Sequence, residues 1–128
     1  MRAAAGAIVA SAVLVVASTA LPAGAAAPRW TVVPTAAGTA FGSLAAVSCP
    51  APTACVAVGT QDSSGTGVRL IERSNGQKWV AQLSPLPTGA RSSSLAAVKC
   101  SSSAFCVAVG QYTPAASLIS HDLAEIWR

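Results

Sequence analysis

The chain is poor in charged, aromatic and histidine side chains. Only 9% of its 128 residues are charged and 5% are aromatic, and it has a single histidine. A chain this short and this weakly charged is neither a multidomain enzyme nor a disordered charged tail, and so few aromatics exclude a large aromatic core. Its basic residues are scattered along the sequence, so the charge cluster typical of a nucleic-acid-binding surface is absent.

A membrane-spanning run is also missing. The longest apolar segment, residues 7–21, is shorter than the roughly 20 residues that cross a bilayer. It follows Arg2 and precedes the small residues before Ala27, which is the layout of a secretory signal peptide. We therefore predict a signal helix in residues 1–27, with cleavage after Ala27 or, alternatively, after Ala25. The remaining chain would carry a net charge of +3 instead of +4 and have no stable membrane insertion; a retained anchor is the alternative.

A repeat of about 50 residues organises the rest of the chain. The segments 44–49 and 55–59 recur as 95–100 and 106–110, with ten identical residues at a spacing of 51. Tryptophan recurs at a similar period, at Trp30, Trp79 and Trp127. Matched cysteines, glycines and tryptophans indicate a duplication. The predicted domain is residues 28–128, with repeat 1 at about 44–87, an incomplete repeat 2 at about 95–128, and a stray outer strand at 29–34.

Each repeat is predicted to contain short antiparallel strands. Residues 44–49 and 55–60 are apolar and separated by turn-forming residues, which predicts a hairpin. Residues 68–73 and 78–83 form a second predicted hairpin around Asn75-Gly76, a dipeptide that tolerates the positive φ of tight turns. The predicted fold class is therefore all-β, built from about two four-stranded units.

The alternation of side chains predicts two apolar faces for the first hairpin. If Cys49 lies opposite Cys55, then Val47 and Ala57 share its face, whereas Leu44 and Val58 lie on the other. A sheet that is apolar on both faces has to be covered on both.

A four-stranded antiparallel unit of this length is what a propeller blade requires. The Leu-x-x-Val-x-Cys strand, the Cys-x-Ala-Val-Gly strand and the Glu72–Trp79 hairpin resemble the repeats of secreted actinobacterial β-propeller-like proteins. The resemblance implies propeller blades in an exported protein, secreted or associated with the cell envelope, here truncated to about two repeats. Such families mostly have no assigned function.

Two blades cannot close a ring, because propellers have four to eight. Three alternatives follow. The chain is a shortened relative of a longer propeller, or several copies form a homo-oligomer that completes a ring, or the two units pack face to face as a β-sandwich.

The four cysteines most simply form two disulfides. The repeat selects the pairing Cys49–Cys55 and Cys100–Cys106, because each unit then contains its own bridge around a five-residue loop. A zinc site made of all four thiolates is the alternative, although their spacing is longer than zinc sites favour. A redox-active pair is not expected, since no Cys-x-x-Cys occurs.

No residue pattern predicts catalysis, a cofactor or a metal site. His121 and Asp122 are neighbours on a predicted strand, so their side chains point to opposite faces and do not form a base with its orienting acid. The tryptophans are interpreted as packing between units, with sugar stacking as the alternative. If a ligand binds, we expect it at the loops 60–67 and 110–117.

The sequence thus predicts a secreted, non-enzymatic, β-propeller-like binding or scaffold module of unknown ligand, or a truncated remnant of one. One alternative is an exported propeller-type glycoside hydrolase. It would need Arg69, Arg73 and Tyr112 beside an acid, and the acids of the mature chain are Asp62, Glu72, Asp122 and Glu125. The other alternative is a small β-sandwich domain for adhesion or inhibition.

Overall fold

The computed structural model describes residues 27–36 and 41–128. Across these residues the regular structure consists of strands, without a helix, so the all-β fold class is confirmed. The predicted signal helix lies outside the described residues. The strands are β1 (Gly42–Ala51), β2 (Ala54–Ser63), β3 (Thr66–Ser74), β4 (Trp79–Ala81), β5 (Ala90–Ser102), β6 (Phe105–Pro114) and β7 (His121–Trp127).

The first sheet is an antiparallel meander in the order β1-β2-β3-β4. Ser64 and Gly65 both have positive φ in the tight turn between β2 and β3, and the carboxylate of Asp62 accepts a hydrogen bond from the Gly65 N–H at 2.7 Å. The predicted turn between β3 and β4 is present. There the side chain of Asn75 accepts hydrogen bonds from the backbone N–H groups of Gln77 and Lys78, both at 3.1 Å.

The second sheet has three strands in the order β5-β6-β7. Its first hairpin, β5–β6, pairs in the same register as β1–β2. Leu44 lies opposite Gly59 and Leu95 lies opposite Gly110, and each pairing is followed by a bulge one residue later on the outer strand. The two hairpins therefore share the same local irregularity at equivalent positions.

The two sheets pack face to face within one compact unit, residues 31–128. Strand β5 contacts β1, β2 and β3. Two serines link the sheets through backbone groups: the Ser93 hydroxyl accepts from the Arg69 N–H at 3.1 Å, and the Ser48 hydroxyl accepts from the Cys100 N–H at 3.0 Å. The buried cluster between the sheets comprises Val56, Val58, Leu95, Cys100, Cys106, Ala108 and Leu123.

Neither sheet closes on itself or on the other. The second sheet differs from the expected four-stranded unit, because β7 pairs with β6 as its third strand. Trp127 thus lies on a third strand, opposite Cys106, whereas Trp79 begins the fourth strand of the first sheet. The two tryptophans are not at equivalent positions, despite their spacing. Residues 29–34 are not in a strand, and Trp30 is fully exposed.

The prediction for Leu44 is wrong: its side chain lies on the face opposite to the predicted one. The bulge between Leu44 and Ala46 shifts the alternation, so Leu44 lies opposite Gly59 and shares the face of Val47 and Ala57. A bulge of this kind inserts one extra residue and reverses the face of everything before it.

Candidate functional site

A cavity of about 190 Å³ lies between the two sheets, where the connection after β4 passes beside β7. Both sheets and residues 82–85 contribute to its wall. The apolar part of the wall is formed mainly by Val56, Val58, Ile71, Val98 and Ala108. The strands place these side chains together because alternate residues of β2 and β3 point towards the second sheet.

An ion pair between the sheets lies beside this cavity. The guanidinium of Arg69, on β3, contacts the carboxylate of Glu125, on β7, and both side chains are largely buried, at 5% and 14% exposure. Ser84 completes the group: its carbonyl accepts a hydrogen bond from Arg69 Nη2, and its hydroxyl donates to Glu125 Oε2 at 2.5 Å. Both carboxylate oxygens of Glu125 are thus engaged within the protein, Oε1 by the guanidinium of Arg69 and Oε2 by the hydroxyl of Ser84.

A second arginine lies on the cavity wall. The Arg73 guanidinium is 4.5 Å from the ring centroid of Trp127, within the range of a cation–π contact. Its Nη2 also donates to the Ser103 carbonyl at 2.9 Å. In the part of the chain that the structure describes, no ion pair of Arg73 is found, so it adds positive charge to a mainly apolar wall that also includes Gln82, Ser84 and the paired Glu125.

A polar groove lies at the other end of the sheets. It is lined by the hydroxyl-bearing residues 92–94, with Thr60, Gly67, Gln111, Tyr112 and Thr113. Both predicted binding segments, 60–67 and 110–117, contribute to it. Most of these residues are in strands rather than in loops.

The residues that a hydrolase would need are not brought together. Arg69 and Arg73 lie near Glu125, but Tyr112 lines the polar groove, where its ring is 5.6 Å from that of His121. His121 lies opposite Tyr112 and Asp122 opposite Gln111, so the two neighbours point to opposite faces, as expected. Asp62 has a turn-forming role, and Glu72 is buried on the other face of the first sheet.

Both predicted disulfides are present, Cys49–Cys55 and Cys100–Cys106, with Cα atoms 4.0 Å apart in each. All four sulfurs are used in these bonds, which excludes the four-thiolate zinc site. In the described residues there is also no cluster of three or more His, Cys, Asp or Glu side chains, and no helix there has the length and apolarity to cross a membrane.

Sequence reasoning missed Ser84, which joins the ion pair from a connection without a repeat equivalent. The position of Glu125 does have a sequence signal, because Leu123-Ala124-Glu125 repeats the pattern of Leu70-Ile71-Glu72. No protein-family model, curated protein or solved structure matches the chain. What can be said of its function therefore depends on the geometry above.

Proposed function

We propose that the chain is an exported, non-enzymatic module of two blade-like β-units that binds a small, mainly apolar ligand between its sheets. The observation that carries the proposal is the cavity between the sheets, with its apolar wall and the guanidinium of Arg73. Pockets with an apolar lining and a few polar groups are the usual form of small-molecule sites. Two disulfides are typical of extracellular proteins, which supports export.

The volume of the cavity fits a single ring or a short alkyl chain. Engineered cavities of about 150 Å³ bind benzene, and the present one is slightly larger. Arg73 favours a ligand that carries a carboxylate, because its charge is not neutralised by an acid among the described residues. We therefore propose a small aromatic or branched aliphatic acid as the ligand class.

A binding role is preferred to glycoside hydrolysis because the acid nearest the cavity is held in an ion pair. Glycosidases generally need two carboxyl groups on either side of the scissile bond. Among the described residues, Glu125 is the only acid on the cavity wall, and its oxygens contact Arg69 and Ser84. The face-to-face sheets also agree with a sandwich-like adhesion or inhibitor domain, which is the second candidate.

The experiment is a titration of the exported protein with benzoate, benzene and benzylamine, followed by calorimetry and by the fluorescence of its tryptophans. Benzoate is expected to bind most tightly and benzylamine most weakly, because of the charge of Arg73. Arg73→Gln is expected to remove this preference and to retain the binding of benzene.

Filling the cavity provides the matched control. Val98 is half-buried on the cavity wall, so Val98→Phe is expected to abolish binding of all three compounds. Val80→Phe adds the same atoms at an exposed strand position outside the cavity and is expected to leave binding unchanged. Equal affinities of the two variants, or no binding by the native protein, would contradict the proposed ligand site.

A further inference from the structure

The second sheet has an apolar face that points away from the first sheet. We call it the outer face of the second sheet. It is formed by Ser94, Ala97, Lys99, Val107, Val109, Gln111, Asp122, Ala124 and Ile126. Val109 is 44% exposed and Ile126 is 60% exposed. A sheet with two apolar faces is normally covered on both sides, and contiguous apolar surface of this kind marks an interaction site.

The first sheet indicates what kind of surface covers such a face. By the repeat, Val107 and Val109 correspond to Val56 and Val58 of the first sheet. Those two valines are 6% and 0% exposed because the second sheet packs on them. The outer face of the second sheet is therefore a copy of a face that takes another β-sheet, and a sheet is the occupant that its shape fits.

Charge argues against a head-to-tail stack of copies. By strand register, Asp122 occupies the position of Arg69, and Glu72 occupies that of Glu125. Repeating the internal interface between two copies would thus bring Asp122 of one chain towards Glu72 of the next. Glu72 is fully buried and already has an interaction within the chain, so it does not offer Asp122 the exposed partner that Glu125 offers Arg69, which disfavours this arrangement.

The charges of the outer face are instead complementary to those of the same face in a second copy. Lys99 lies opposite Val107 on β6, and Asp122 lies opposite Gln111, so the two charges occupy opposite corners of the face. Val109 is midway between them on the central strand. A two-fold axis through Val109 exchanges the corners, as an isologous interface requires.

We propose that the chain forms a symmetric dimer through the outer face of the second sheet. Val109 lies on the two-fold axis against Val109 of the partner subunit. Lys99 contacts Asp122 of the partner subunit, and the converse contact forms on the other side. The dimer covers the valines and Ile126 with the same face of the partner subunit.

The area of the face sets the strength of this dimer. Three strands spaced about 4.8 Å apart and about seven residues long measure roughly 14 Å by 23 Å. Two such faces would bury roughly 640 Å², which is below the range of stable complexes. We expect a dissociation constant in the range of tens to hundreds of micromolar, so the experiment needs concentrations up to about 1 mM.

The first test is sedimentation equilibrium of the exported protein, together with the variant Val109→Cys treated with a short bismaleimide. A bifunctional reagent is needed because facing sheets lie about 10 Å apart, and a disulfide requires Cα atoms within about 7 Å. We expect a monomer–dimer equilibrium in the native protein and a covalent dimer in the variant, with both native disulfides intact by mass mapping. Val80→Cys is the matched control: Val80 is a similarly exposed valine on a strand of the first sheet, outside the outer face, so no cross-linked dimer is expected.

The second test exchanges the corner charges. Lys99→Glu and Asp122→Lys are each expected to weaken the dimer roughly three- to tenfold, and the double variant is expected to restore it, because each subunit then carries a reversed but complementary pair. Val109→Asp is expected to weaken it more than roughly 100-fold. All three side chains are exposed, so these variants are expected to keep the native circular dichroism spectrum.

Three outcomes would overturn the proposal. A monomer that persists to about 1 mM, which is above the expected dissociation constant, shows that the face is not a self-interface. A ring of three or more copies, in which the Val109→Cys variant forms no cross-link, shows head-to-tail stacking. A dimer that is insensitive to Val109→Asp uses another surface. None of these results bears on the ligand cavity, whose test is separate.

Discussion

At the scale of single residues, two glycines allow the close approach of the strands at each bulge. A Cβ atom at Gly59 would contact the carbonyl oxygen of Ser43 and lie 2.9 Å from Leu44 Cα. At Gly110 it would contact the Ser94 carbonyl and lie 2.8 Å from Leu95 Cα. Since these neighbours are backbone atoms, they cannot move aside without changing the strand pairing.

We therefore predict that Gly59→Ala and Gly110→Ala each lower the free energy of unfolding by about 1–3 kcal/mol, the usual cost of overpacking. Urea unfolding with the disulfides intact measures the change. Gly67→Ala is the matched control, because its Cβ would meet only the Thr60 methyl group at 3.3 Å, and we expect a change below about 1 kcal/mol. Equal effects at all three glycines would contradict the argument.

The sequence predicts the importance of these glycines only through their recurrence. Both end a Cys-x-Ala-Val-Gly segment, which identifies them as equivalent, but the reason appears in the bulge that follows the opposite leucine. The same bulge explains why alternation from Cys49 assigns Leu44 to the wrong face. Alternation assumes one residue per position on each strand, and a bulge is the place where that assumption fails.

At the scale of elements, each inner hairpin is closed by one disulfide, but the two bridges differ in their surroundings. Cys100 and Cys106 are 6% and 4% exposed in the core between the sheets. Cys49 is exposed and Cys55 is half-buried. Thiol–disulfide exchange requires direct access of the attacking thiolate to a sulfur.

We predict that a thiol reductant opens Cys49–Cys55 first, while Cys100–Cys106 persists until the chain unfolds. Alkylation after timed exposure to dithiothreitol, followed by peptide mass mapping, gives the order. In a low concentration of urea the two rates should converge, because unfolding exposes the second bridge. Faster reduction of Cys100–Cys106 in the native state would contradict the packing of the second hairpin.

Both disulfides close loops of the same length, so each should restrict the unfolded chain equally and contribute a similar free energy of unfolding. Closing so short a loop is worth about 2 kcal/mol on the chain-entropy model. We predict that replacing Cys49 and Cys55 by serine lowers the free energy of unfolding by about this amount. Replacing the buried pair by serine should cost more, because two hydroxyls would then be placed in the core. Urea unfolding of the two double variants makes the comparison.

The elements themselves were largely predictable from the sequence, because the hairpins and the Asn75-Gly76 turn have local signals. The third strand of the second sheet was not. Leu118-Ile119 matches Leu70-Ile71 in sequence, yet both residues are exposed outside β7. The register places Leu123, not Leu118, at the position of Leu70. Two adjacent apolar residues are not enough to predict where a strand lies, because the strand register depends on which side chains become buried against the rest of the protein.

At the scale of the whole molecule, the relation between the two sheets could not be derived from the sequence. The repeat left a ring, a longer propeller and a sandwich open, since each places the same apolar faces in contact. Nothing in the sequence pairs Arg69 with Glu125, which lie on strands of different sheets. The candidate ligand site was therefore missed, because its wall exists only once the sheets have packed.

The Arg69–Glu125 pair provides a test of that packing. Both side chains are largely buried, so removing one partner leaves a charge in a medium of low polarity. We predict that Arg69→Met lowers the free energy of unfolding by about 3 kcal/mol, and that Arg69→Met combined with Glu125→Leu recovers most of this loss. A double-mutant cycle in urea measures both, and the coupling energy should exceed about 1 kcal/mol.

Arg91→Met is the control, since Arg91 is exposed and its replacement should change the free energy of unfolding by less than about 0.5 kcal/mol. Additive losses from the two substitutions would mean that the sheets do not pack through this pair in solution, and the cavity beside it would then lose its wall.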